Sequence, residues 1–262
     1  MPGAQVAPAP SGPILFARYA FGPNRLGLCG PEDWRALLEF GTAGIRSRGP
    51  ELTEIERGVR ELAKGFGGAF PYLQLIAEAN GMSDPLDSRV VDAYWIGNVL
   101  SDRVDPVLMA RSIETRFRSR VRPEAWRWLT TKPAAGARPT HAFHVLDIFP
   151  RLGLMTGGKV DDTLKLMDAC RIRWGTVLEI VGERLVVESV PLQLSKGRLV
   201  LGQPKVESVR RWLDGAGFVR DVAVGDAVSL HWDWVCEMLT QERFKALKVR
   251  TRWQLRIANQ TI

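Results

Sequence analysis

Three histidines and three cysteines are the residues of this 262-residue chain best suited to holding a metal. Two histidines stand together in Thr140-His-Ala-Phe-His-Val-Leu-Asp-Ile-Phe-Pro150. On a helix, His141 and His144 lie three residues apart on one face, and Asp147 follows three further on. Two imidazoles and a carboxylate on one stripe can ligate a metal, or the carboxylate can orient a ligating histidine. One imidazole could also bind haem axially in a helical bundle. The plainer alternative is a helix start whose polar residues cap and face solvent. His141, His144 and Asp147 are thus one candidate cofactor-binding set. The cysteines, Cys29, Cys170 and Cys236, form no C-x-x-C pair and no zinc spacing. That usage fits a reducing, cytoplasmic setting.

The elements that must position these residues change character near residue 170. Before it the signals are helical. Pro31-Glu-Asp-Trp-Arg-Ala-Leu-Leu-Glu-Phe has a proline and two acids in its first turn. Thr53-Glu-Ile-Glu56 reads as a capping box opening a segment to about Phe66, with Ile55, Val59, Leu62 and Phe66 at helical spacing. Further helices are expected at about 72–80, 88–97, 105–120, 123–129, 142–149 and 161–169. After residue 170 the period becomes two. Short β-branched runs at 176–181, 184–190, 198–201 and 227–232 are separated by turn signals. A helix over 240–247 and a final strand over 251–257 complete the expectation. The fold class is therefore α+β: a disordered tail over 1–13, an all-helical domain over 14–169, and a small barrel with an attached helix over 170–262.

Two glycine-bearing segments, from Arg18 to Pro31 and from Lys64 to Tyr72, match neither a phosphate loop nor a dinucleotide fingerprint. They read as helix terminators or as loops lining a pocket. The net charge is +7, from 36 basic and 29 acidic residues. The excess is weighted to the last third, which suits an acidic protein partner. No Lys/Arg run and no RNA-binding aromatic signature point to nucleic acid. No apolar run of membrane-spanning length occurs.

The last third carries a longer pattern. It runs Cys170-Arg-Ile-Arg-Trp-Gly175-Thr-Val-Leu-Glu-Ile, then the hairpin Val181-Gly-Glu-Arg-Leu-Val-Val-Glu. Val224-Gly-Asp-Ala-Val-Ser-Leu-His231 follows, and then Leu239-Thr-Gln-Glu-Arg-Phe-Lys-Ala246. Over roughly residues 170–250 this resembles the HypC/HupF family of [NiFe]-hydrogenase maturation chaperones. The Cys-to-Gly and Gly-to-His spacings carry the likeness. The resemblance implies an OB-like barrel in which Cys170 and His231 bind iron, as an Fe(CN)2CO group or its precursor. It also implies a partner, either a hydrogenase large-subunit precursor or the scaffold that assembles the iron group. The role implied is that of a carrier. A thiolate suits low-spin iron, and an imidazole supplies a neutral second ligand. This chain departs from the family pattern in three places. Cys170 is internal, Trp174 stands where the family has Pro, and Trp232-Asp-Trp-Val-Cys236 follows the histidine. The stretch from about Gly202 to Gly217 reads as an insertion into the middle of the barrel. Two other functions stay open at this point: a haem- or metal-dependent enzyme centred on the helical part, and a non-catalytic interaction adaptor.

Overall fold

The computed structural model describes residues 10–152 and 160–260. Most of the expected tail lies outside the described residues, but Gly12 and Pro13 already open a helix. That helix, α1 (Gly12–Arg25), is buried over Gly12–Ala17 and Tyr19–Asn24 and forms the axis of the helical part. Around it lie α2 (Trp34–Arg46), α3 (Gly49–Lys64), α4 (Phe70–Ala79), α5 (Ser88–Trp95) and α6 (Val99–Asp102). Next come α7 (Pro106–Phe117), α8 (Pro123–Leu129), the single turn α9 (His141–Phe143) and α10 (Val160–Cys170). The glycines and prolines between Arg18 and Pro31 suggest a loop or a helix end, and the helix instead runs through Gly22 and Pro23 to Arg25. Burial on all sides also deprives α1 of the one-sided apolar stripe that marks a surface helix. α3 begins a turn before Thr53, whose hydroxyl donates to the Gly49 carbonyl instead of capping.

The strands are β1 (Arg173–Val181), β2 (Arg184–Ser189), β3 (Leu192–Ser195), β4 (Arg198–Leu201), β5 (Lys205–Arg210), β6 (Ala227–His231) and β7 (Trp234–Met238). Five of them close a barrel in the order β1-β2-β5-β7-β6, while β3 and β4 pair as a separate two-stranded sheet. The pairing is antiparallel except between β5 and β7, so the sheet is mixed. Two expectations are corrected here. The expected strand over 198–201 lies outside the barrel. The stretch from Gly202 holds a barrel strand, β5, so the added piece is the β3–β4 hairpin. The barrel interior is filled by Val177, Leu185, Val187, Val209, Val228, Leu230 and Val235.

A last helix, α11 (Gln241–Ala258), replaces the expected final strand. Trp253, Leu255 and Ile257 alternate with polar residues and mimic a strand. The buried face is nevertheless Leu247, Thr251, Gln254, Leu255 and Ala258, at helical spacing. Thr240 caps this helix through its hydroxyl. At its far end the Lys132 ammonium donates to the carbonyls of Ile257 at 2.6 Å and Ala258 at 3.3 Å, satisfying acceptors that a helix end leaves free. One hydrophobic core runs from α1 into Trp174, Phe218 and Trp234. α1 rests against β6 and β7, where Arg25 pairs with Asp233 at 2.6 Å.

Candidate metal centre

Three residues far apart in sequence meet beside α1. Cys170 is the last residue of α10, His231 the last of β6, and His141 the first of α9. The main-chain links that bring them together are short. The Trp232 N–H, in a turn with φ +58°, donates to the Ala169 carbonyl at 2.8 Å, pinning the end of β6 to the end of α10. Thr140 caps α9 and so fixes where His141 starts. The Cys170 Sγ lies 3.9 Å from the Nε2 of both His141 and His231. All three donor atoms fall within 4.8 Å of one another.

The second ring nitrogen of each histidine is held as well. The Nδ1–H of His231 donates to the Tyr19 carbonyl of α1 at 2.7 Å. A carbonyl only accepts, so the proton sits on Nδ1 and the Nε2 lone pair faces Cys170. His141 has Tyr94 Oη at 3.2 Å from Nδ1 and the Cys170 carbonyl at 2.8 Å from Nε2. By the same rule His141 Nε2–H donates to the Cys170 carbonyl, so metal binding at Nε2 requires that bond to break and the proton to move to Nδ1, where Tyr94 Oη can accept it. Orienting bonds of this kind are the usual supports of ligating histidines. Trp95 walls the group, with its ring 4.8 Å from that of His141 and 5.7 Å from that of His231.

Burial sets the charges. It lowers His141 to about 4, against the opposing bond to the Cys170 carbonyl, and drops His231 well below its ordinary value. Burial also pushes the Cys170 thiol up to about 12. Near neutral pH the site therefore holds two neutral imidazoles and a thiol, and only the thiol must lose a proton to become a ligand. The donor set fits a transition metal. Tetrahedral bonds of about 2.1 Å to nitrogen and 2.3 Å to sulfur place donor atoms about 3.5 Å apart. The two sulfur–nitrogen pairs must close from 3.9 Å, and the set as a whole from within 4.8 Å.

Asp147 is not in this group. Beyond α9 the chain makes a π turn (His144–Ile148), whose wider winding carries Asp147 to the opposite side. There its carboxylate is fully buried, 3.3 Å from Lys132 Nζ and 3.4 Å from Arg151 Nη1, and it accepts from Gln254 at 2.6 Å. The expected set of His141, His144 and Asp147 is corrected accordingly. The carboxylate is part of a buried ionic network, and the partner of His141 is the Cys170–His231 pair.

His144 stays close, its ring 6.5 Å from that of His141. It lines a cavity of about 260 Å³ that also exposes His141, Cys170 and His231. Residues from both glycine-bearing segments form part of its wall, among them Cys29, Gly67 and Gly68. Sequence reasoning had no signal joining His141 to Cys170, because their contact depends on how α9 packs against α10. Tyr19, within the first glycine-bearing segment, and Tyr94 steady the two ligand rings.

Residues 8–262 match a family described as a family of unknown function, DUF6390. The chain belongs to the DUF6390 family. The match spans α1 through α11, so one family contains all three donor residues. No curated protein and no solved structure matches this DUF6390 chain. Among its described residues, no helix is long and apolar enough to cross a membrane.

Proposed function

We propose that this protein binds one transition-metal ion through His141, Cys170 and His231, and that it acts in [NiFe]-hydrogenase maturation as a carrier of iron. The observation behind the metal site is the convergence of one thiol and two neutral imidazoles within 4.8 Å. The cargo would be an Fe(CN)2CO group or its precursor. The recipient would be a hydrogenase large-subunit precursor or an iron-group assembly scaffold, in the cytoplasm.

Two observations support the carrier reading. The Cys-to-Gly and Gly-to-His spacings that resemble HypC/HupF belong to residues whose sulfur and nitrogen lie 3.9 Å apart. With the β3–β4 hairpin set aside, the barrel strands run first, second, third, fifth, fourth, and the third and fifth are parallel. This order supports the OB-like reading. His141 adds a ligand that the resemblance does not supply, and it ties the barrel to the helical part. Three protein ligands leave coordination positions free for the cargo's own ligands.

The test is anaerobic purification from cells maturing a hydrogenase, followed by metal analysis and infrared spectroscopy where metal-bound cyanide and carbon monoxide absorb. Stoichiometric iron and those bands in the parent protein, both lost in Cys170→Ala, are expected. Iron without the bands would remove the carrier role and leave the metal site. Absence of any bound or bindable metal would remove both.

A further inference from the structure

The cavity beside the triad has a second set of polar groups that the metal does not use. The Arg120 guanidinium lines it and has no ion pair or hydrogen bond among the described residues. Beside it stands His144, whose Nε2 lies on the cavity side, 3.4 Å from where a Cβ on Gly68 would sit. That nitrogen also has no partner among the described residues.

The other side of the His144 ring shows which nitrogen carries the proton. Arg116 lies over the Tyr72 ring at 4.1 Å. The Tyr72 hydroxyl lies 3.5 Å from His144 Nδ1 and is placed to donate to it. With Nδ1 accepting, the proton is on Nε2 and points into the cavity as a donor. Arg116 also reaches the Gly67 carbonyl at 3.4 Å, and its Nη1 is buried without a partner. Arg120 thus lines a space whose lining contains no aspartate or glutamate. The remaining wall is apolar, with Phe66, Phe117, Phe149 and Leu152.

A cationic side chain and a ring N–H donor in an otherwise largely apolar lining are complementary to one chemical class. We propose that this cavity binds a small organic monocarboxylate, with its carboxylate on Arg120 and His144 Nε2–H and its hydrocarbon body against the phenylalanines. Arginine and a ring N–H can each donate to one carboxylate oxygen, and charge-assisted bonds of this kind are the stronger ones. The volume limits the ligand to less than drug size. The site goes beyond the metal reading and does not require it, although the bound molecule would lie against the open side of the triad.

Calorimetric titration of the metal-free protein with butyrate and benzoate, and with the neutral 1-butanol and benzyl alcohol, tests the assignment. Trp95, in the same wall, gives a second readout by fluorescence. At least one acid is expected to bind ten-fold or more tightly than its alcohol. Arg120→Gln and His144→Phe are each expected to weaken it ten-fold or more, with the thermal midpoint as the control for folding. Arg120 is exposed, so its variant leaves the core intact. Equal binding of acid and alcohol, no binding of either acid, or an unchanged affinity in Arg120→Gln would overturn the proposal. Cobalt titration of the same samples reports the triad separately, so either site can fail while the other stands.

Discussion

Gly22 is where the fold and the metal site are most directly coupled. α1 crosses the end of β6 so closely that a Cβ on Gly22 would lie 2.6 Å from the His231 carbonyl oxygen and 3.1 Å from Trp234 Cβ. Both neighbours belong to the barrel's main framework and cannot rotate away. An ordinary contact begins at 3.4 Å, so Gly22→Ala must open this crossing by about 0.8 Å. The same crossing supplies the Tyr19 carbonyl that holds His231 Nδ1 at 2.7 Å. An equal opening there gives about 3.5 Å, beyond a useful N–H···O bond. Overpacking of this kind costs about 1–3 kcal/mol. Replacing a helical glycine by alanine returns up to about 1 kcal/mol. The net loss of about 1–2 kcal/mol corresponds to a fall of about 2–8 °C in Tm for a chain of this length. Loss of the orienting bond should weaken metal binding about 10- to 100-fold. Differential scanning calorimetry and competitive cobalt titration measure the two effects. A variant with parental Tm and parental metal affinity would refute the argument that α1 sets the ligand orientation.

Other expectations follow from the same geometry. Cys170→Ser should abolish the sulfur-to-metal charge-transfer band of the cobalt form and lower affinity at least 100-fold, because a buried hydroxyl is a poor ligand at neutral pH; an unchanged spectrum would remove the thiolate from the site. Asp147→Asn should leave cobalt binding unchanged yet destabilise the fold by about 3–5 kcal/mol, since it strands the buried Lys132 ammonium; chemical denaturation and the cobalt spectrum read the two outcomes. Metal binding at pH 6 should release about one proton, from Cys170 alone, where the same three ligands with ordinary values would release about two and a half. The histidines, at about 4 and lower, are already neutral there, so affinity should rise about tenfold per pH unit until the thiol titrates. Calorimetry in buffers of different ionisation enthalpy counts the protons, and a value above two would contradict the buried site.

Much of the chain can be read from local pattern, and the exceptions have physical causes. The helices at 88–95 and 106–117 announce themselves through Asp87 and Asp105, whose carboxylates accept from the first-turn amides. The barrel's hairpin, β1 to β2, shows as two β-branched runs around Gly182, which sits at φ +54°. α1 hides because full burial removes its polar face. The C-terminal helix hides because arginines interrupt its apolar residues in a strand-like rhythm. For the site, residue types and spacing singled out His141, Cys170 and His231 individually, the last two through a family likeness. Their grouping is a tertiary fact. Asp147 illustrates the limit of spacing arguments, since three residues along an α-helix and three residues across a π turn point in different directions.

The three donor residues sit at positions 141, 170 and 231, so the polymer delivers them to the site in sequence as it leaves the ribosome. Two are available while the barrel is still being made. The third arrives only when β6 has been synthesised and has docked on α1. Capture of a metal at the proposed site would thereby wait for β6, and a chain terminated before His231 would lack a complete site. Occupancy of the proposed site would report that the chain has been made at least through β6 and that β6 has docked on α1.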